Sequence, residues 1–336
     1  VYARARRAAL EAAALVDEDM TGEQEKQVDA AVEAADRTLS YYDDAWLELR
    51  AAHLEMVAAT RPSFSQRTVL YAEAAPAIQA AVGRHGLDHP LVERILAARG
   101  RAQLPPPKLL KRGDRALREF HKARDKHGAT SPEWVAAAFT LAGVYRDLAM
   151  PADAANWLWH MLSQQEPIVS TYRVATDAAI SCHDLAEVVL ARKCGDVAAE
   201  LEDGVFAATM PNSTEEEKRS TKGVLASVHG LRARILISAG AAASAEPLLG
   251  EVLDTVGELA EHLTEAVQVD SLRQLEALAL NDRGNALLAL ERPGEAQHCF
   301  FRAHRLASSD KGEAAEAKSA YYLNSAVYAS GEWKQL

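Results

Sequence analysis

The run Leu280-Asn281-Asp282-Arg283-Gly284-Asn285-Ala286-Leu287 is followed by Arg292-Pro293-Gly294-Glu295-Ala296, then by Phe300 and Ala303. These residues describe two antiparallel helices joined by a tight turn. Gly284 and Ala296 are small enough to let the helices cross closely. Leu280, Leu287 and Phe300 fill the groove around the crossing.

Related units recur along the chain. Gly86-Leu87-Asp88-His89-Pro90 and Gly128-Ala129-Thr130-Ser131-Pro132 lie 42 residues apart. In each, cations precede the glycine (Arg84-His85, Lys126-His127) and complement a helix C-terminus. The glycine can adopt the left-handed conformation that ends a helix. Ser131 can cap the next helix, and Pro90 and Pro132 sit where a missing N–H costs nothing. Ala74, Ala116 and Ala245 each stand 12 residues before a glycine (Gly86, Gly128, Gly257). Pro76 and Pro247 are expected in the first turn of a second helix. Unit boundaries fall near 44–86, 88–128, 131–167, 170–211, 213–257 and 266–308, with a seventh unit opening at Glu313 and running to Gly331 and Trp333. The fourth unit is degenerate. The second carries an unusual Leu104-Pro105-Pro106-Pro107 connection.

This pattern resembles the tetratricopeptide repeat (TPR) family, in its long-helix, kinesin-light-chain-like form rather than the form of about 34 residues. The resemblance implies an all-α, right-handed α-α superhelix of about seven helical hairpins over residues 44–336. Each hairpin would bury its apolar face only by stacking on its neighbours. Residues 1–43 read as an N-terminal cap or a linker. They hold two helices separated by Asp17-Glu18-Asp19-Met20-Thr21, and Thr21 with Gln24 fits a capping box. No strand pattern persists.

Composition agrees. The chain is 49% hydrophobic but only 6% aromatic, which suits close helix packing on small side chains and not a sandwich or barrel. A net charge of −11 argues against bulk attraction to nucleic acid or anionic membrane. Apolar runs stay well short of the roughly 18 residues a membrane span needs. No leader pattern is visible. Cys182, Cys194 and Cys299 are too few for a disulfide framework, so a reduced, cytoplasmic setting is expected. The chain opens on Val1 and stops within a repeat, as a piece of a longer polypeptide would.

In TPR arrays the first helix of each hairpin lines the concave side. Asn281 and Asn285, four residues apart, share one face of such a helix, and an amide both donates and accepts. The resemblance therefore implies that this pair grips the backbone of an extended peptide. By the same alignment Arg234, Lys318, Tyr321 and Tyr328 face the groove; Asn324 falls nearer the helix crossing. The basic stretch from Arg94 to Lys126 (with Arg99, Arg101, Lys108, Lys111, Arg112, Arg115, Arg118, Lys122 and Arg124) could meet an acidic partner, although a solvated face with i,i+4 pairs is the blander account. No aromatics interleave with it, so base stacking is poorly supported. One of Trp157 and Trp159 should be core and the other partly exposed. Cys182-His183 with Cys194, and His298-Cys299 with His304, lack the paired spacing of a zinc site. Neither a metal nor a cofactor is expected.

Phosphate-loop, metalloprotease, nucleophile-elbow and dinucleotide motifs are all absent from the sequence. The expected function is thus a non-catalytic scaffold that holds a protein or peptide in its groove, with no membrane and no nucleic acid bound. The alternative is the sensor or regulatory array of a larger bacterial signalling protein, attached to a nucleotide-switch, transcription-regulator or protease module. An enzyme is a remote third reading.

Overall fold

A computed structural model describes residues 1–17, 20–60, 64–100, 107–165, 171–209, 213–262, 266–309 and 313–332. Arg101, the 104–106 part of the proline-rich connection and Trp333 lie outside the described residues. The described residues hold fifteen α-helices and no strand. The first two are α1 (Tyr2–Ala13) and α2 (Gly22–Thr38). Then come α3 (Asp44–Thr60) with α4 (Phe64–His85), α5 (Pro90–Gly100) with α6 (Pro107–His127), and α7 (Pro132–Asp147) with α8 (Pro151–Leu162). They are followed by α9 (Thr171–Asp184) with α10 (Val188–Thr209), α11 (Glu215–Ser238) with α12 (Ala242–Ala260), α13 (Ala266–Ala289) with α14 (Pro293–Ala307), and finally α15 (Glu313–Ser330). Each of the first six units read from the sequence thus contains one helix pair, and the described part of the seventh contains the single helix α15.

Local chemistry explains the boundaries. Thr21 Oγ1 accepts from the Gln24 N–H, and the Gln24 side chain accepts from the Thr21 N–H at 2.8 Å, closing the expected capping box. Ser131 caps α7 by accepting from the Trp134 N–H at 3.2 Å. Gly86 and Gly128 both take positive φ. The two prolines correct the expectation: Pro76 lies deep inside α4 and Pro247 in the second turn of α12. Their helices begin earlier than the spacing suggested, and each proline leaves one helix hydrogen bond unmade.

One joint recurs within the pairs. Ala149, Ala186, Gly240 and Glu291 all have φ between 55° and 73°. The N–H of the next residue then reaches back five positions: Met150 to Tyr145 O, Glu187 to Cys182 O, Ala241 to Leu236 O and Arg292 to Leu287 O, at 2.8–2.9 Å. This closure satisfies orphan carbonyls of the first helix and turns the chain into the second. Three of the four residues are not glycine, which is why the sequence hid the joint.

By contacts the chain divides into two units. One comprises 61–75 and 101–218; the other comprises 1–60, 76–100 and 219–336. In the first, α6 to α10 pack in succession, each on the next. Its core gathers Phe120, Trp134, Ala138, Leu141 and Met161, with Tyr145 and Trp157 at the edge. Both tryptophans of the Trp157-Leu158-Trp159 run are partly buried: Trp157 meets Phe120 edge-on, and Lys193 lies over Trp159. In the second unit α1 packs on α2 and α3, α3 on α5, and α12 to α15 follow one another. Within each unit this is the neighbour-on-neighbour packing of an α-solenoid. The second unit adds something the sequence did not suggest, because α2 also packs on α15.

Candidate functional site

The site is built on one face of α13 and the matching faces of α11 and α15. The adjoining side of α13 packs on α14 and α15: Ala277 and Leu280 cluster with Ala303, Ala307 and Tyr322, and Gly284 lies beneath Phe300. Along the site face, the first half of α13 is open. Asp270, Arg273, Leu278, Leu306, Lys318 and Tyr322 are among the residues lining a cleft of about 690 Å³ where α13, α14 and α15 meet. A smaller cleft of about 240 Å³ runs between α11 and α13, with Gly230, Leu231, Arg234, Leu275 and Asp282 on its walls. Leu278 borders both clefts and is 38% exposed.

The second half of the same face is covered by the chain's own early residues. Arg84, at the end of α4, donates from Nη1 to Leu288 O at 3.1 Å and so caps the last turn of α13. A β-carbon at Gly83 would lie 2.9 Å from Ile237 O and 3.2 Å from the Tyr42 hydroxyl, so only glycine lets α4 approach α11 here. Asn324 Nδ2 donates to Arg37 O at 3.0 Å, and Ser325 Oγ to Ser40 Oγ at 3.4 Å. Tyr41 lies between Trp46 and Tyr321, with ring centroids 4.6 and 4.8 Å away. Asp43 secures the covering segment: it accepts from the Tyr2 hydroxyl at 2.9 Å, from Arg6 Nε at 3.1 Å and from the Ala45 N–H at 2.8 Å.

Electrostatics follow from this burial. Burial pushes the Asp282 carboxyl upward, while Arg234 and the Asn281 amide pull the other way. Arg234 donates to Asp282 Oδ2 from Nε at 3.1 Å and from Nη2 at 2.9 Å. Burial raises every tyrosine of the cluster, Tyr322 and Tyr328 each to about 12. Tyr41, Tyr42 and Tyr321 also rise through desolvation.

The six residues singled out in the sequence meet different fates. Asn281 is 6% exposed and donates to Asp282 Oδ1 at 3.2 Å. Asn285 is 7% exposed. The side-chain oxygens of both asparagines are buried without a hydrogen-bond partner among the described residues. Arg234 joins Asn281 through Asp282. Tyr321 meets Tyr41, and Tyr328 is hydrogen-bonded with Arg84. Lys318 stands apart, exposed on the open cleft. Sequence reasoning missed Asp282, Leu278, Arg273 and the covering residues Tyr41, Tyr42 and Arg84. Leu278 was within reach, since it lies three and four residues before Asn281 and Asp282 on the same face. Asp282 was too, as a carboxylate one unit on from Arg234. The covering residues left no such signal.

Elsewhere, Cys182, Cys194 and Cys299 are buried free thiols; the hydrogen bond with Cys194, and then burial, raise Cys182. Among the described residues no group of three or more His, Cys, Asp or Glu side chains could hold a metal ion. No described helix is long and apolar enough to cross a membrane. No family model matches the chain, and no curated protein sequence matches it either.

Proposed function

We propose that this chain is a TPR-like protein-binding scaffold whose open cleft along the first halves of α13 and α15 holds an extended segment of a partner polypeptide. The observation that carries this reading is Leu278. A large apolar side chain is left 38% exposed between two clefts, with Lys318 and the Asp270–Arg273 ion pair around it. An apolar anchor ringed by polar groups is the usual make-up of a recognition site. Lys318 has no ion-pair partner among the described residues, so it is available to a carboxylate of the bound segment. The reading moves the grip away from Asn281 and Asn285, which are buried, and toward Leu278, Arg273 and Lys318.

A displayed library of random peptides, selected on the full chain, tests this. The expected winners carry an apolar anchor near a carboxylate. Leu278→Asp should weaken their binding at least tenfold, and Lys318→Glu by a smaller factor. Phe301→Asp, at an exposed residue outside the clefts, should leave binding unchanged. Peptides that bind wild type and Leu278→Asp equally would place recognition elsewhere.

A further inference from the structure

The basic stretch read from the sequence breaks into parts. Arg94 is held by Glu48 at 2.7 Å and Glu55 at 2.9 Å. Arg112 pairs with Asp147, and Arg124 lies over Trp134 and donates to Gln164. Arg99 has interactions of its own and Arg101 lies outside the described residues, so what remains on α6 is a single row. Lys108, Lys111, Arg115, Arg118, Lys122 and Lys126 recur at intervals of three and four residues along α6, and all six are exposed. That spacing confines them to an arc of about 80° and a length of about 27 Å. The opposite face of α6 carries Phe120, Ala116 and Leu117 into the core.

Lys122 lies 3.8 Å from Glu119. Lys108, Lys111, Arg115, Arg118 and Lys126 have no ion pair with any described residue. Asp114, Glu119 and Asp125 are the only carboxylates on the helix. With eight cations against three carboxylates, α6 carries +5 in a chain of net −11, so the remaining residues carry −16. A solvated helix stabilised by its own i,i+4 pairs does not account for such a row.

We propose that this row on α6 is the docking surface for a short acidic segment of a partner polypeptide, with carboxylates at matching three- and four-residue intervals. Three observations favour that occupant over other polyanions. The row contains no aromatic side chain on which unpaired bases could stack. It contains no exposed apolar side chain to enter a lipid surface. A duplex or a membrane extends well beyond the roughly 27 Å of the row, whereas a short segment meets only the row. A partner helix with carboxylates on one face repeats the same spacing and places one anion near each cation.

Fluorescence anisotropy with the full chain tests the proposal. The probes are a labelled helix-forming peptide with glutamates at three- and four-residue spacing, a peptide of equal composition with glutamates spread around the helix, a short DNA duplex, and vesicles rich in phosphatidylserine. The patterned peptide should bind best, and more weakly as salt rises. Lys111→Glu with Arg115→Glu and Arg118→Glu should reduce its affinity at least tenfold. Arg173→Glu with Arg192→Glu, at cations paired elsewhere, should not. If the triple reversal proves unfolded by circular dichroism, the milder Lys111→Gln, Arg115→Gln, Arg118→Gln chain should still lose several-fold. Equal binding by these variants, equal binding of the two peptides, or tighter binding of duplex or vesicles would overturn the proposal.

Discussion

Phe300 rests against Gly284 so closely that a β-carbon at Gly284 would lie 2.6 Å from Phe300 Cε1. Helix α13 accepts the propensity cost of a central glycine, about 1 kcal/mol, to bring α14 into contact. Gly284→Ala should therefore destabilise despite its better helix propensity, by about 1–3 kcal/mol from overpacking. Thermal melts should show Gly284→Ala below wild type, with Gly284→Ala/Phe300→Leu recovering part of the loss. A rise in Tm for the single variant would mean the contact is slack.

Arg234 and Asp282 form a pair whose carboxylate is almost fully buried. Removing only the cation leaves that carboxylate without its main charged partner. Arg234→Met should cost about 2–3 kcal/mol in urea unfolding. Adding Asp282→Leu should recover most of it, because the buried charge then disappears as well. Additive losses would contradict this account.

The raised hydroxyls of Tyr2, Tyr41, Tyr42, Tyr321, Tyr322 and Tyr328 give the protein an alkaline limit. Each folded value lies above the unfolded one of about 10. Their contribution is complete below that value and is lost as pH rises from it through the raised folded values, since in that window only the unfolded chain ionises readily. Tyrosinate absorbance at 295 nm should stay low above pH 10 and then rise together with loss of helical circular dichroism. Titration of these tyrosines at about 10 with the helices intact would refute the burial argument.

Arg84 and Leu288 are 204 residues apart, yet share a hydrogen bond at the end of α13. Arg84→Met should cost about 1.5–3 kcal/mol, as expected for a charged donor. Hydrogen exchange should accelerate at two places together, around Leu39–Asp43 and in the last turn of α13. Acceleration at α4 alone would show that the early residues do not secure the late ones.

The helices and their pairing were legible because their signals are local. Period, caps and glycine joints act within a few residues, so Thr21, Ser131, Gly128 and Gly284 announced their roles in the linear text. The joints at Ala149, Ala186 and Glu291 were hidden. There the five-residue backbone closure imposes a left-handed conformation on residues that do not advertise it. Asn281 and Asn285 share a face of α13, as four-residue spacing in a helix dictates, but their exposure was not readable. Whether Asn281 or Leu278 meets solvent depends on Tyr41, Tyr42 and Arg84, some two hundred residues earlier. A contact at that separation repeats with no period and needs no particular spacing. Helical class and hairpin positions thus belong to the sequence by itself, through short-range backbone and side-chain preferences. Which half of the α13 face stays open was settled only when distant segments packed together and one of them buried it.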